Sequence, residues 1–144
     1  MRKLSFVVGL MAAVLCLSCS SDDGNSSPRE ELLGTWIFER YADYIVESGD
    51  LLGTGKDGPN LVLNSDNTCI CWGYNGTYST SGSTITFHYK TSWSDGTHVE
   101  EHSTSCKIEE LTADKLTLSH RFETHLNGNL YSTECIGYEY YNKK

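Results

Sequence analysis

Short runs of alternating apolar and polar residues, each closed by a turn sequence, fill most of this chain. In one such run, Ile85, Phe87 and Tyr89 fall on one face of a predicted strand, and the residues between them are polar. The pair Asp95-Gly96 that follows is typical of a tight β-hairpin turn. One apolar and one polar face predict an antiparallel meander that buries a single side, either as a closed barrel or as a sandwich.

Turn sequences divide this meander into about eight strands. We predict them at Thr35–Val46, Asn60–Asn64, Thr68–Tyr74, Gly76–Thr80, Thr84–Ser94, Thr97–Glu110, Lys115–His125 and Leu130–Asn142. A glycine-rich loop, Glu47–Pro59, separates the first two strands and is long enough to carry a function of its own. Ahead of the first strand, Ser27-Pro28-Arg29-Glu30 has the pattern of a helix capping box, and Gly34 would end that helix after little more than one turn.

The N-terminal segment has the layout of a bacterial lipoprotein signal. Basic residues at positions 2 and 3 are followed by the apolar run Leu4–Leu17, then by Ser18 and Cys19. At 14 residues, the run is shorter than the roughly 20 that a membrane-spanning helix needs, but it suits a cleaved secretory signal. We therefore predict cleavage before Cys19 and attachment of lipid, with palmitate-type acyl chains, to this cysteine. An ordinary cleaved signal is the alternative, because Cys16 stands where the lipoprotein consensus prefers leucine.

These features divide the chain into a signal peptide, residues 1–18, a lipidated flexible tether, residues 19–27, and one domain, residues 28–144. The tether is polar and offers no apolar residue to a core after Cys19. Its acidic pair Asp22-Asp23 resembles the surface-export signal of some outer-membrane lipoproteins, although any soluble linker has a similar composition. We predict a lipid-anchored protein of the bacterial outer membrane, facing either the periplasm or the cell surface.

The charge of the chain restricts its partners. Without the signal peptide, 126 residues carry 9 basic and 19 acidic side chains, a formal net charge near −10. Such a surface repels nucleic acid and anionic lipid. We therefore predict no nucleic-acid partner, and contact with the membrane through the lipid anchor at Cys19.

Four cysteines belong to the domain: Cys69, Cys71, Cys106 and Cys135. An even number of cysteines outside the cytoplasm predicts two disulfides. Cys69 and Cys71 share a strand face and cannot easily bond each other, so each is expected to pair with one of the other two, in either connectivity. A four-cysteine zinc site is the alternative, although Cys-x-Cys is not the spacing of a usual zinc knuckle.

Several short motifs, in order along the chain, resemble the lipocalin-like (calycin) domains of small bacterial lipoproteins. Gly34-Thr35-Trp36 is similar to their opening motif on the first strand, and the other similar segments are 61–68, 76–86, 108–118 and 138–141. The resemblance implies an all-β fold, an antiparallel eight-stranded up-and-down barrel with a short N-terminal helical turn, whose closed end Trp36 plugs. It also implies one of two roles: small-molecule binding, or a packed barrel without a cavity.

Aromatic residues on the predicted strands, together with one inward-facing histidine, are the candidate ligand contacts, because ligand pockets combine apolar walls with a few polar tips. They are Trp72, Tyr74, Phe87, Tyr89, Trp93, His120, Phe122 and Tyr138. Core packing without a ligand is the alternative for each of them.

No residue pattern predicts catalysis, a cofactor or a dedicated metal site. The segment His98-Val99-Glu100-Glu101-His102 matches the inverzincin metalloprotease motif, but that chemistry needs a helix and this segment follows a hairpin turn. Incidental metal binding by His98 and His102 is a weaker alternative.

We therefore predict a protein that is not an enzyme, a cell-envelope lipoprotein that binds a small apolar or amphipathic ligand in the barrel mouth. The alternative function is a surface module for protein–protein interaction or structure, with a filled barrel. The sequence does not identify a protein partner for that alternative.

Overall fold

The structure, a computed structural model, describes residues 29–94, 96–126 and 132–144. These described residues form nine antiparallel strands in a single sheet. They are β1 (Gly34–Ile45), β2 (Leu51–Gly55), β3 (Leu61–Leu63), β4 (Thr68–Cys71), β5 (Tyr74–Ser81), β6 (Thr84–Ser92), β7 (Val99–Leu111), β8 (Lys115–Thr124) and β9 (Thr133–Lys143). A single turn of 3-10 helix, Glu30–Leu32, precedes β1.

Several sequence predictions fall outside the described residues. They concern the signal peptide, Cys19, the tether, Ser27 and Pro28 of the capping box, Asp95, and the turn at 127–129. Within the part of the chain that the structure describes, no helix has the length and apolar character needed to cross a membrane.

β1 closes the sheet into a barrel because both of its edges are paired. One edge pairs with β9 over almost its whole length, from Trp36 to Ile45. The other edge pairs with β3 near its start and with β2 near its end. The barrel proper therefore has eight strands in up-and-down order, with β2 as an extra strand. This confirms the prediction of an all-β, antiparallel, closed barrel.

The prediction of one irregular loop over Glu47–Pro59 is wrong in its middle, where β2 lies. This strand folds back on β1 in a hairpin, and the Oγ1 of Thr54 donates a hydrogen bond to the carbonyl oxygen of Tyr41 at 2.7 Å. Gly53 and Gly55 disfavour a strand when taken alone. The free edge of β1 nevertheless supplies backbone hydrogen bonds, and these hold the segment extended.

A β-bulge in β1 decides which of its side chains face the barrel interior. Trp36 and Phe38 face inwards, and the register with β9 shifts directly after Phe38. Because the bulge adds one residue, the inward positions change from even to odd numbers, and Tyr41 and Asp43 face inwards. Without the bulge, Asp43 would lie on the outer surface.

Trp36 plugs one end of the barrel. Its side chain is fully buried, and its Nε1 donates a hydrogen bond to the carbonyl oxygen of Leu32 at 2.8 Å. The Nζ of Lys143, at the end of β9, lies 4.2 Å from the centre of the Trp36 ring and donates to the carbonyl oxygen of Leu33. The core that extends from this plug uses residues between positions 32 and 141.

The four cysteines of the domain are buried free thiols, and the predicted disulfides are absent. The Sγ atoms of Cys69 and Cys71 lie 4.0 Å apart, about twice the length of an S–S bond. Strand register holds Cys106 opposite an isoleucine of β6 and Cys135 opposite a phenylalanine of β8. Burial raises the pKa of the Cys106 thiol to about 12, which keeps this thiol protonated.

We expect Trp36→Ala to lower the free energy of unfolding by about 3–5 kcal/mol, because it empties the plug of the barrel. Trp36→Phe keeps an aromatic ring but removes the hydrogen bond to Leu32. It should therefore lower the free energy of unfolding by less, about 1–2 kcal/mol. Urea unfolding measures both values. Trp93, which is 62% exposed, provides the control, and Trp93→Ala should change the stability by about 0.5 kcal/mol or less. Equal losses at the two tryptophans would contradict the role of Trp36 as a plug.

Candidate ligand-binding site

A cavity of about 320 Å³ lies at the end of the barrel opposite Trp36. β1, β8, β9, the β4–β5 turn and the loop between β2 and β3 supply its walls. We call this cavity the mouth site and define it by its central residues Asp43, Trp72, His120 and Glu139. Its volume falls at the lower end of the range of small-molecule pockets, roughly 300–1,000 Å³.

A row of three residues across three strands forms one wall of the mouth site. Asp43 on β1 is paired with Gly137 on β9, and Gly137 is paired with His120 on β8. A Cβ atom on Gly137 would lie 2.8 Å from the Oδ1 of Asp43 and 3.1 Å from the Cε1 of His120. Because Gly137 has no side chain, the carboxylate and the imidazole converge over its backbone, a use of strand glycines that is known from ligand sites.

Glu139 is fixed inside the barrel by two side-chain hydrogen bonds. The Nε1 of Trp72 donates to its Oε1 at 2.8 Å, and the hydroxyl of Tyr141 donates to its Oε2 at 2.7 Å. Burial, and then the adjacent Glu139 carboxylate, raise the pKa of Tyr141 well above its usual range, so the phenol remains a donor. The bond from Trp72 therefore connects β9 with the β4–β5 turn across the barrel interior.

The backbone of Trp72 has a conformation that is rare for a bulky residue. Trp72 and Gly73 form the two-residue turn between β4 and β5, with φ angles of 49° and 82°. Positive φ at both positions is the pattern of a type I′ hairpin turn, in which asparagine and glycine are usual. Strained residues of this kind cluster at binding sites. Here the turn places the indole across the mouth site, with its ring centre 5.2 Å from that of Phe87.

Aromatic rings form the apolar walls of the mouth site. Phe38 and Tyr41 contribute from β1, and Phe122 contributes from β8. The loop 57–59 completes the wall beside Phe38. A Cβ atom on Gly58 would lie 2.6 Å from the Phe38 ring, so glycine is what allows the loop to approach this ring.

The mouth site concentrates negative charge. Asp43, Asp57 and Glu139 all line it, and the five ion pairs among the described residues include none of them. Burial raises the pKa of Asp43 above its usual value; His120 partly offsets this shift, and the Glu139 carboxylate adds to it. The Nδ1 of His120 is buried and has no hydrogen-bond partner within the described residues. Of these groups, the Asp43 carboxylate faces the cavity, whereas the Nδ1 of His120 is buried and shielded from it.

Three of the predicted ligand contacts line the mouth site: Trp72, His120 and Phe122. Phe87 lies beneath Trp72 and is fully buried, so it supports the indole from inside the core. Core packing, the alternative for every predicted contact, describes Phe87 best.

The other four predicted contacts lie away from the cavity. Tyr74 and Tyr89 stack on each other with ring centres 5.5 Å apart, on the neighbouring part of the barrel wall. Trp93 lies in the β6–β7 hairpin and is largely exposed. Tyr138 lies on the outer face of β9, because its neighbours in sequence face inwards. Its ring centre is 5.9 Å from that of Tyr44.

Sequence reasoning missed Asp43, Gly137 and Glu139. A signal was present for Gly137, since a glycine inside a strand of aromatic residues indicates a close approach. Glu139 stands between two tyrosines, so the sequence does not decide whether the glutamate or the tyrosines face the barrel interior. No sequence signal identifies Asp43, because its inward orientation depends on the bulge in β1.

The segment that matches the inverzincin motif lies in the β6–β7 hairpin and on β7, not on the helix that its chemistry needs. His102 stacks on Tyr89, and its Nε2 lies 2.8 Å from the Oγ1 of Thr91. Among the described residues, no group of three or more histidines, cysteines or carboxylates could hold a metal ion.

We expect Asp43→Asn to stabilise the fold near neutral pH. Because the folded-state pKa of Asp43 is raised, its ionisation costs stability as the pH rises through and above the ordinary value of 3.8. The variant should therefore be more stable than the wild type near pH 7, and the difference should disappear at about pH 3. Urea unfolding at both pH values tests this. A variant that is less stable than the wild type near pH 7 would contradict a desolvated carboxylate at this position.

No family model matches this chain, and no curated protein matches it either. The lipocalin-like resemblance of its short motifs therefore stays a prediction. The function has to be argued from the geometry and charge of the mouth site.

Proposed function

We propose that this chain is a lipid-anchored protein of the cell envelope whose barrel binds a small amphipathic molecule in the mouth site. The cavity itself carries the proposal. Aromatic walls converge there with three carboxylates and the imidazole of His120. An apolar lining with a few placed polar groups is the usual composition of a small-molecule site.

The apolar walls would supply affinity, and the polar groups would supply orientation. Each 100 Å² of apolar ligand surface covered by the aromatic walls contributes about 2.5 kcal/mol before the costs of association. The Asp43 carboxylate faces the cavity and belongs to none of the ion pairs found among the described residues, so it can accept a hydrogen bond from the ligand.

The alternative function, a filled barrel that serves protein–protein contacts, has less support. A filled barrel has side chains where the mouth site leaves about 320 Å³. The segment predicted as a long free loop also contains β2, which is paired to β1. Its freedom to act as a binding loop is correspondingly smaller.

An anchor at Cys19 would attach to the plugged end of the barrel. Arg29, the first described residue, lies at that end, where its guanidinium donates to the carbonyl oxygen of Gly82 in the β5–β6 turn at 3.5 Å. The 10 residues from Cys19 to Arg29 span at most roughly 35 Å. In this arrangement the anchor and the mouth site lie at opposite ends of the barrel.

A single methyl group on Gly137 should block the mouth site. In Gly137→Ala the new Cβ would collide with Asp43 and His120 and push them into the cavity. We expect ligands that shift the NMR signal of the Trp72 indole N–H to bind at least about tenfold more weakly, a loss of about 1.4 kcal/mol. A library of small amphipathic compounds of all charges, titrated into residues 20–144, supplies the ligands.

Gly53→Ala is the matched control, because a Cβ there has no heavy atom within 4 Å. Binding should be unchanged in this variant. If no compound of any charge shifts the Trp72 indole signal in the wild type, the mouth site is not a ligand site and the proposal is wrong.

Lipidation is tested separately, in cells grown with an alkyne analogue of palmitate. The wild-type chain should incorporate the label and fractionate with membranes, whereas Cys19→Ala should remain unlabelled and be released. Cys16→Ala is the control and should keep both label and location. Labelling that survives in Cys19→Ala would overturn the assignment of the anchor to this cysteine.

A further inference from the structure

We propose that the ligand of the mouth site is a small organic cation, a protonated amine attached to an apolar or aromatic body. This inference rests on the proposed function, since it names the chemical class of ligand for the same site. It follows from three properties of the cavity: its charge, the arrangement of its carboxylates, and the rings that surround them.

The carboxylates in the lining make the charge of the cavity negative. Three carboxylates line it, those of Asp43, Asp57 and Glu139, whereas no lysine or arginine among the described residues does so. The nearest opposing group is His120, which partly offsets the effect of burial on Asp43. These carboxylates would repel an anionic ligand, whereas a ligand cation would supply the positive charge that lysine and arginine do not provide in this lining.

The carboxylates have different roles. Both oxygens of Glu139 already accept hydrogen bonds, from Trp72 and from Tyr141, so this residue holds the site together. Asp43 instead lies over Gly137, a residue without a side chain, and faces the open cavity. The geometry assigns Asp43 as the group that pairs with the ligand ammonium, and Asp57, in the exposed loop, as the charge at the entrance.

Aromatic rings surround these carboxylates. The cavity is lined by Trp72, Tyr41, Phe38 and Phe122, and ring faces attract cations, tryptophan most strongly. A carboxylate with several rings recognises an ammonium group by charge and its apolar body by contact. A bare metal ion has no apolar body for the rings to contact. The described residues also offer no cluster of three metal ligands.

The experiment compares three probes that share one ring system and differ in charge: tryptamine, which is a cation, tryptophol, which is neutral, and indole-propionate, which is an anion. Each is titrated calorimetrically into residues 20–144 near neutral pH. We expect tryptamine to bind at least about tenfold more tightly than tryptophol, as a charge-assisted contact requires, and indole-propionate to bind most weakly.

Two variants test whether Asp43 causes the preference for tryptamine over tryptophol. Asp43→Asn should reduce the affinity for tryptamine to that for tryptophol and leave tryptophol itself nearly unchanged. Asp114→Asn removes the same charge from the β7–β8 turn, at the plugged end of the barrel, and should change neither affinity. Stability measured in parallel shows that each variant is folded.

The possible outcomes separate the two proposals. Tryptophol or indole-propionate binding as tightly as tryptamine would overturn the cation inference and leave the small-ligand function intact. If Asp43→Asn and Asp114→Asn lost tryptamine binding equally, the preference for the cation would come from the overall acidity of the protein. That result would overturn the assignment of Asp43. Failure of all three probes, together with failure of the compound library, would overturn both proposals.

Discussion

The pairing of β1 with β9 is the interaction on which the rest of this structure depends. It joins residues that are about one hundred positions apart, Trp36 with Lys143 at one end and Ile45 with Cys135 at the other. Closure pairs the edges of β1 and β9 with each other, and these edges would otherwise be free to pair with other chains. It also creates both functional ends of the barrel, since the plug and the mouth site each combine residues of β1 with residues of β9. Contacts of such long range cost more loop-closure entropy than local ones, so they make folding slow.

The alternating pattern of the sequence was sufficient to predict the all-β class, most strand positions and the inward faces of β6 and β8. Period-two alternation predicts side-chain faces reliably while a strand is regular, as the buried Ile85 and Phe87 and the inward-facing His120 demonstrate. The bulge in β1 adds one residue without any mark in the sequence and reverses the faces after it, which is why Asp43 could not be placed in advance. β2 escaped prediction for the opposite reason, because a glycine-rich segment became a strand through its partner and not through its own propensity.

The prediction of two disulfides was wrong because sequence does not give the distances between cysteines in the fold. An even number of cysteines in an exported chain favours disulfides, but pairing requires two Cβ atoms within about 4.5 Å of each other with a suitable orientation. The register of the barrel decides those distances, and it places Cys106 opposite Ile85 and Cys135 opposite Phe122. The barrel is therefore held by its closed hydrogen-bond ladder and its core, and its thiols behave as small buried apolar groups.

The two ends of the barrel follow opposite physical rules. At the plugged end, the polar groups are satisfied: the indole of Trp36 donates to Leu32, and Lys143 caps carbonyl oxygens of the 3-10 turn and its flank. At the mouth, local preferences are violated together, by a tryptophan with positive φ, a glycine within a strand and a carboxylate that burial disfavours. Each violation costs stability, and natural sequences tolerate such costs mainly where a function needs them. The net charge of −8 adds a long-range effect to the local charge of the mouth site. An acidic surface draws cations towards a negative cavity and raises their rate of encounter with it.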